Sequence, residues 1–238
     1  MAANPTLVLL PGMDGTGDLF EPLLRALAGE CPCVVIRYPT DQPLGYPALE
    51  ALVRRRLPTG EAFVLLGESF SGPIAVAIAA SPPAGLRGLV LCASFLSNPR
   101  PALSWLRKFL SWLPVTRAPG RLRSRMLLGP DASPELRRAL AAALAKVSPD
   151  VLRARMSAVL SVDVIETFKR VKVPTLYLRG DQDRVVPRTS ADLVQNTRPA
   201  ANVVSIRAPH LVLQAAPVEA AAALRAFLHG LAQPQAPR

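Results

Sequence analysis

Histidine, lysine, cysteine and aromatic residues are all scarce in this 238-residue chain. Three cysteines cannot staple a domain of this size, which excludes a disulfide scaffold. No apolar run approaches the roughly 18 uncharged residues that a membrane span requires. The opening MAANPTLVLLPG has no basic segment and only a short apolar stretch before Pro11. No secretory signal is therefore expected, and the reducing cytosol is the expected compartment. Aromatics make up 5% and no nucleic-acid-binding motif accompanies the charge, so nucleic acid is not an expected partner. Half of the residues are apolar and 19% are charged, which excludes a mainly disordered chain and allows a sizeable core.

What is abundant is arginine. The formal net charge is +11, with 28 basic residues against 17 acids, and only four of the basic ones are lysines. Residues 95–170 hold 14 basic and 5 acidic residues, so most of the excess is concentrated there. Such a field suits an acidic protein, a membrane surface or nucleic acid. An arginine-rich solvated surface is the preferred account.

Short continuous apolar runs recur between glycines and prolines: Thr6–Leu10, Cys33–Tyr38, Ala62–Leu66, Leu89–Ala93, Thr175–Leu178 and Asn202–Ile206. Continuous rather than alternating apolarity fits strands buried on both faces, as in a parallel sheet. Helical patterns lie between them at Leu19–Ala28, Pro47–Leu57, Ser71–Ala80, Ser190–Thr197 and Pro217–His229. The alternation predicts an α/β fold with six strands in the order 2-1-3-4-5-6. Residues 97–170 break the pattern and read as several helices inserted as a cap, between core segments 1–96 and 171–238.

The third strand runs straight into Gly67-Glu68-Ser69-Phe70-Ser71-Gly72 and then a helix of small residues. A serine at such a strand-turn-helix apex sits in strained backbone that lifts its hydroxyl clear of the sheet. Small residues two before and two after it, here Gly67 and Ser71, let the turn close. A serine hydroxyl needs a base, and only His210 and His229 are available. His229 near the end of the last helix, with Gly230 as its cap, reads as structural. His210 follows the sixth strand, at the same sheet edge as Ser69. An orienting carboxylate comes from Gly180-Asp181-Gln182-Asp183-Arg184-Val185-Val186-Pro187, where Asp181 and Asp183 both qualify.

Serine, then acid, then histidine is the chain order of α/β-hydrolases. Over 6–96 and 171–229 the sequence resembles that superfamily, and within it the small cap-bearing serine carboxylesterases. The resemblance implies the α/β-hydrolase fold, with a mostly parallel six-stranded sheet flanked by helices. The family's Gly-x-x-Asp-x-x-Val-Pro pattern selects Asp183, and Pro217 stands at the usual distance after the histidine. The implied oxyanion donors are the N–H groups of Phe70 and of Met13, in the loop Pro11–Gly17. The chain departs from the family at Ser71, where a second glycine is usual, and before Gly12, where a histidine is usual. By that resemblance its first strand is expected to correspond to the family's third, with no N-terminal antiparallel hairpin expected. Asp14 is expected to brace the loop through an Asx-type turn.

The expected activity is cleavage of carboxylic esters with an aliphatic acyl group, through an acyl-enzyme and without a metal or other cofactor. The alternatives are an esterase or thioesterase acting on acyl groups of the acidic acyl carrier protein, an acyltransferase, and a non-catalytic binding module. The spacing of Gly12, Gly15 and Gly17 does not fit a dinucleotide fingerprint. Cys31 and Cys33 read as small apolar residues and Cys92 as core. In the insert, Leu103–Leu113 is amphipathic, with Trp105, Leu106, Phe109, Leu110, Trp112 and Leu113 on one face. That face is expected to roof the protein's own cleft; docking on a membrane surface is the second reading.

Overall fold

A computed structural model describes residues 5–109 and 120–232. In chain order the elements are β1 (Thr6–Leu10), α1 (Glu21–Leu27), β2 (Cys33–Val35), α2 (Tyr46–Arg54), β3 (Phe63–Glu68), α3 (Gly72–Ala80) and β4 (Leu86–Cys92). A run of helices follows: a 3-10 helix Pro101–Phe109, then α4 (Gly120–Leu128), α5 (Pro134–Ala145), α6 (Pro149–Ser161) and α7 (Ile165–Lys169). The core resumes with β5 (Thr175–Gly180), α8 (Arg188–Thr197), β6 (Asn202–Ile206), α9 (Val212–Ala215) and α10 (Pro217–Ala232).

The six strands form one sheet in the order β2-β1-β3-β4-β5-β6, with every neighbouring pair parallel. The strand order is the expected one. Each strand residue points to alternate faces, so both faces must be covered. Leu7, Leu9, Val64, Leu66, Val90, Leu176 and Leu178 pack against α1, α9 and α10 on one side. Val8, Leu10, Phe63, Leu65, Leu89, Leu91 and Tyr177 pack against α2, α3 and α8 on the other. Burying each of the aliphatic side chains among these contributes about 1.5–3 kcal/mol, which is why the apolar runs were legible as strands.

Two local expectations fail. The second strand ends at Val35 instead of Tyr38. Beyond it the Tyr38 N–H donates to the Gly15 carbonyl (2.8 Å) and the Arg37 Nε to the Thr16 carbonyl (2.7 Å), so the chain pairs with the loop after β1 and leaves the ladder. Gly230 does not cap the last helix, which runs on to Ala232. Leu231 packs on the cluster beneath the sheet, and that contact outweighs the cost of an internal glycine.

The helices between β4 and β5 lie on the loops that follow the carboxyl ends of the strands. Leu128 and Leu140 pack with Leu19 and Leu211, and Lys146 pairs with Asp18 (2.7 Å). The Ser148 N–H donates to the Thr40 carbonyl (2.8 Å). Ser133 and Ser148 cap α5 and α6, accepting from the N–H groups of Leu136 and Val151. The amphipathic stretch Leu103–Leu113 is 3-10 helix as far as Phe109, and 110–113 lie outside the described residues. Trp105, which belongs to the face expected to roof the cleft, is 59% exposed. Among the described residues, no helix is long and apolar enough to cross a membrane.

Candidate active site

The sheet order reverses between β1 and β3, which brings the loops after those two strands side by side at their carboxyl ends. Ser69 occupies the turn after β3, with φ +49. A non-glycine residue in this left-handed region costs about 1–3 kcal/mol and persists only when its surroundings fix it. Those surroundings are visible. Ser94 Oγ donates to the Ser69 carbonyl (2.6 Å), and the Tyr177 hydroxyl donates to the Ser94 carbonyl (2.5 Å). A Cβ on Gly67 would lie 2.7 Å from the Ser71 carbonyl oxygen and 2.9 Å from the Ala75 Cβ, so the turn closes only over glycine.

Ser71, in place of the family's glycine, is accommodated in ordinary helical backbone, with φ −83. Its hydroxyl donates to the Pro11 carbonyl and accepts from the Tyr38 hydroxyl (2.7 Å). It therefore ties the serine turn to the loop after β1.

Ser69 Oγ lies 2.9 Å from His210 Nε2, and His210 Nδ1 lies 2.8 Å from Asp183 Oδ2. The side chains of His210 and Asp183 are both 3% exposed. Asp183 Oδ1 is held independently, by the N–H groups of Val185 (2.7 Å) and Val186 (3.0 Å). Asp181 is exposed on the same loop, and its own N–H donates to the Ile206 carbonyl. Of the two carboxylates open on sequence, Asp183 is the one the fold turns toward His210. His229 lies on α10, away from this group.

Phe70 is fully buried, its ring stacked on Tyr46 (4.9 Å) and edge-on to Tyr38 (6.5 Å). Met13 adjoins Gly12, where an added Cβ would lie 3.8 Å from the Ser69 Cβ. The Asx-type turn expected at Asp14 is present: Asp14 Oδ2 accepts from the N–H (2.9 Å) and the hydroxyl (2.5 Å) of Thr16.

Glu68, directly before Ser69, was not singled out from sequence. It is 1% exposed and accepts from Gln214 Nε2 (2.9 Å) and from the Gly12 N–H. Burial pushes its carboxyl from an ordinary 4.5 up to about 8, with the Gln214 bond opposing and nearby Asp14 adding to the rise. Its one sequence signal was a charge just past an apolar run, directly before the serine. A carboxyl raised in this way stays protonated in the folded chain while the unfolded chain has lost the proton. Stability therefore falls between about pH 4.5 and 8 and levels off above. Glu68→Gln is expected to remove that slope. Thermal midpoints measured from pH 5 to 9 should show wild type losing ground to the variant as pH rises; parallel curves would contradict it.

The sequence profile of the Alpha/beta hydrolase family matches residues 7–224. A Xenorhabdus hominickii protein named pyrrolizixenacetamide deacetylase is 26% identical over 175 residues, 70% of this chain. The chain spans 65% of the length of that curated relative. Among solved structures, a thermophilic esterase from Thermogutta terrifontis superposes with a TM-score of 0.82 at 20% identity, over 97% of this chain and 92% of that one. The enol-lactonase from Burkholderia xenovorans LB400 gives 0.79 at 15% identity, over 97% and 92%. At these identities the two structures speak for the fold alone. The profile match extends over nearly the whole sheet and both ends of the serine–histidine–aspartate chain, and the protein belongs to the alpha/beta hydrolase family.

Proposed function

We propose that the protein is a serine hydrolase of carboxylic esters with an aliphatic acyl group. The supporting observation is the continuous hydrogen-bonded chain from Ser69 Oγ through His210 to Asp183. Ser69 attacks the acyl carbon as His210 Nε2 takes its proton. His210 then protonates the departing alkoxide, and water attacks the acyl-enzyme with the same base. Asp183 holds the imidazole with Nδ1 protonated and stabilises the imidazolium. The N–H groups of Met13 and Phe70 receive the oxyanion. Residues 97–170 act as the cap over this edge of the sheet, and no cofactor takes part.

The test is hydrolysis of p-nitrophenyl esters of increasing acyl length. Medium aliphatic chains are expected to exceed short charged ones, and the reverse order would remove the aliphatic assignment. The name of the deacetylase relative makes an acetyl amide a natural second substrate to include. Failure on every ester would shift weight to carrier-bound substrates, to acyl transfer or to a binding role.

A second reading rests on the exposed arginines of α4 and α5, Arg121, Arg125, Arg137 and Arg138. They suit an acidic acyl carrier protein as the bearer of the acyl group. Activity on a carrier-bound acyl group should then fall steeply with salt while activity on a free ester does not. Equal salt responses would dismiss it.

A further inference from the structure

Arginine is the residue least expected in a core, yet Arg155 on α6 is 1% exposed and is the largest fully buried side chain among the described residues. Burial of its charge draws its pKa below the usual guanidinium value, with Asp14 opposing. Nη1 donates to the Met13 carbonyl (2.8 Å) and Nη2 to the Pro39 carbonyl (2.9 Å). The same guanidinium lies 5.7 Å from the centre of the Tyr38 ring and 5.9 Å from that of Phe70. Gly15, with φ +70, makes room for it: a Cβ there would lie 2.5 Å from Nη1. One side chain from the inserted helices thus touches both Met13 and Phe70, the two residues assigned to the oxyanion.

The contact with Met13 acts on a defined pair of peptide planes. The Gly12 carbonyl accepts from the Gly15 N–H (3.1 Å), closing a tight turn. Carbonyl and N–H point in opposite directions across a trans peptide, so this bond turns the Met13 N–H away from the turn. The next plane begins with the Met13 carbonyl, which Arg155 holds. An apolar side chain could cover Tyr38 and Phe70 equally well. Only a forked donor satisfies both buried carbonyls at once.

We propose that Arg155 is a positioning residue that fixes the Met13 peptide, and with it the oxyanion donor, so that the inserted helices complete the site. This rests on the ester-hydrolase reading. Arg155 touches no reacting atom. Its effect on rate comes through the placement of a donor that must meet charge developing in the transition state.

Arg155→Met is expected to lower kcat on a p-nitrophenyl ester about 10- to 100-fold, with KM within about twofold. Affinity for a trifluoromethyl ketone, whose tetrahedral adduct places its oxygen in the same donors, should fall by the same factor. Arg155→Lys should lie between, because one ammonium replaces a two-armed fork. Hydrogen exchange of the 12–17 amides should quicken in both variants. A folded Arg155→Met with kcat within about twofold of wild type would overturn the proposal, as would a raised KM at constant kcat. Should Arg155→Met fail to fold, Arg155→Lys decides by the same readouts. If wild type itself cleaves no ester, the ester-hydrolase reading falls and exchange alone decides: quickened 12–17 amides support the clamp, and unchanged ones overturn it.

Discussion

Ser69→Ala is expected to lower kcat on p-nitrophenyl esters by roughly 10⁴- to 10⁶-fold while the protein stays folded. The hydroxyl has one described partner, His210 Nε2 at 2.9 Å, and the turn is held through the Ser69 backbone and its neighbours. Alanine keeps the same backbone demand at φ +49, so the thermal midpoint should move little. Residual turnover would come from substrate binding and the oxyanion donors acting on water. His210→Ala should lose as much, and the double variant little more, because nucleophile and base act as a unit. A fluorophosphonate should phosphonylate wild type with loss of fluoride, adding the phosphonyl group's mass, and leave Ser69→Ala unmodified. Turnover surviving the substitution at more than about a hundredth of wild type would remove the acyl-enzyme route.

Asp183→Asn is expected to cost roughly 10⁴-fold in kcat, and Asp181→Asn about twofold or less. The reason lies in how Asp183 is held. Its Oδ1 already accepts from the N–H groups of Val185 and Val186, so asparagine would place its carbonyl there and turn its NH₂ toward His210 Nδ1. That donor favours the tautomer with the proton on Nε2, which can no longer take one from Ser69. Asp181 is exposed and offers nothing of this kind. A large loss at 181 with little change at 183 would reverse the assignment.

Much of this architecture was legible because burial on both faces leaves an unmistakable mark. β1 and β6 have the expected limits, and the strand order is the one expected for right-handed parallel crossovers. The serine turn was legible for a related reason, since a strand, a small residue, a serine and a helix of alanines all fall within a few positions. Local pattern misled where a distant contact took over, at Val35 and at Gly230. Trp105 was grouped with an inward face, yet it is exposed.

Sequence alone thus determined the sheet, its order and the proximity of Ser69, His210 and an acid loop, because these depend on periodicity and chain connection. The family pattern named Asp183 and the tertiary structure set it against His210, while only the tertiary structure buried Glu68 behind the serine and drew Arg155 into the core. Arg155 sits two residues from Arg153 on an ordinary helix, and its partners Met13 and Pro39 are more than a hundred residues away. A charged side chain is placed by the acceptors that surround it, and those acceptors come together only when the chain has folded.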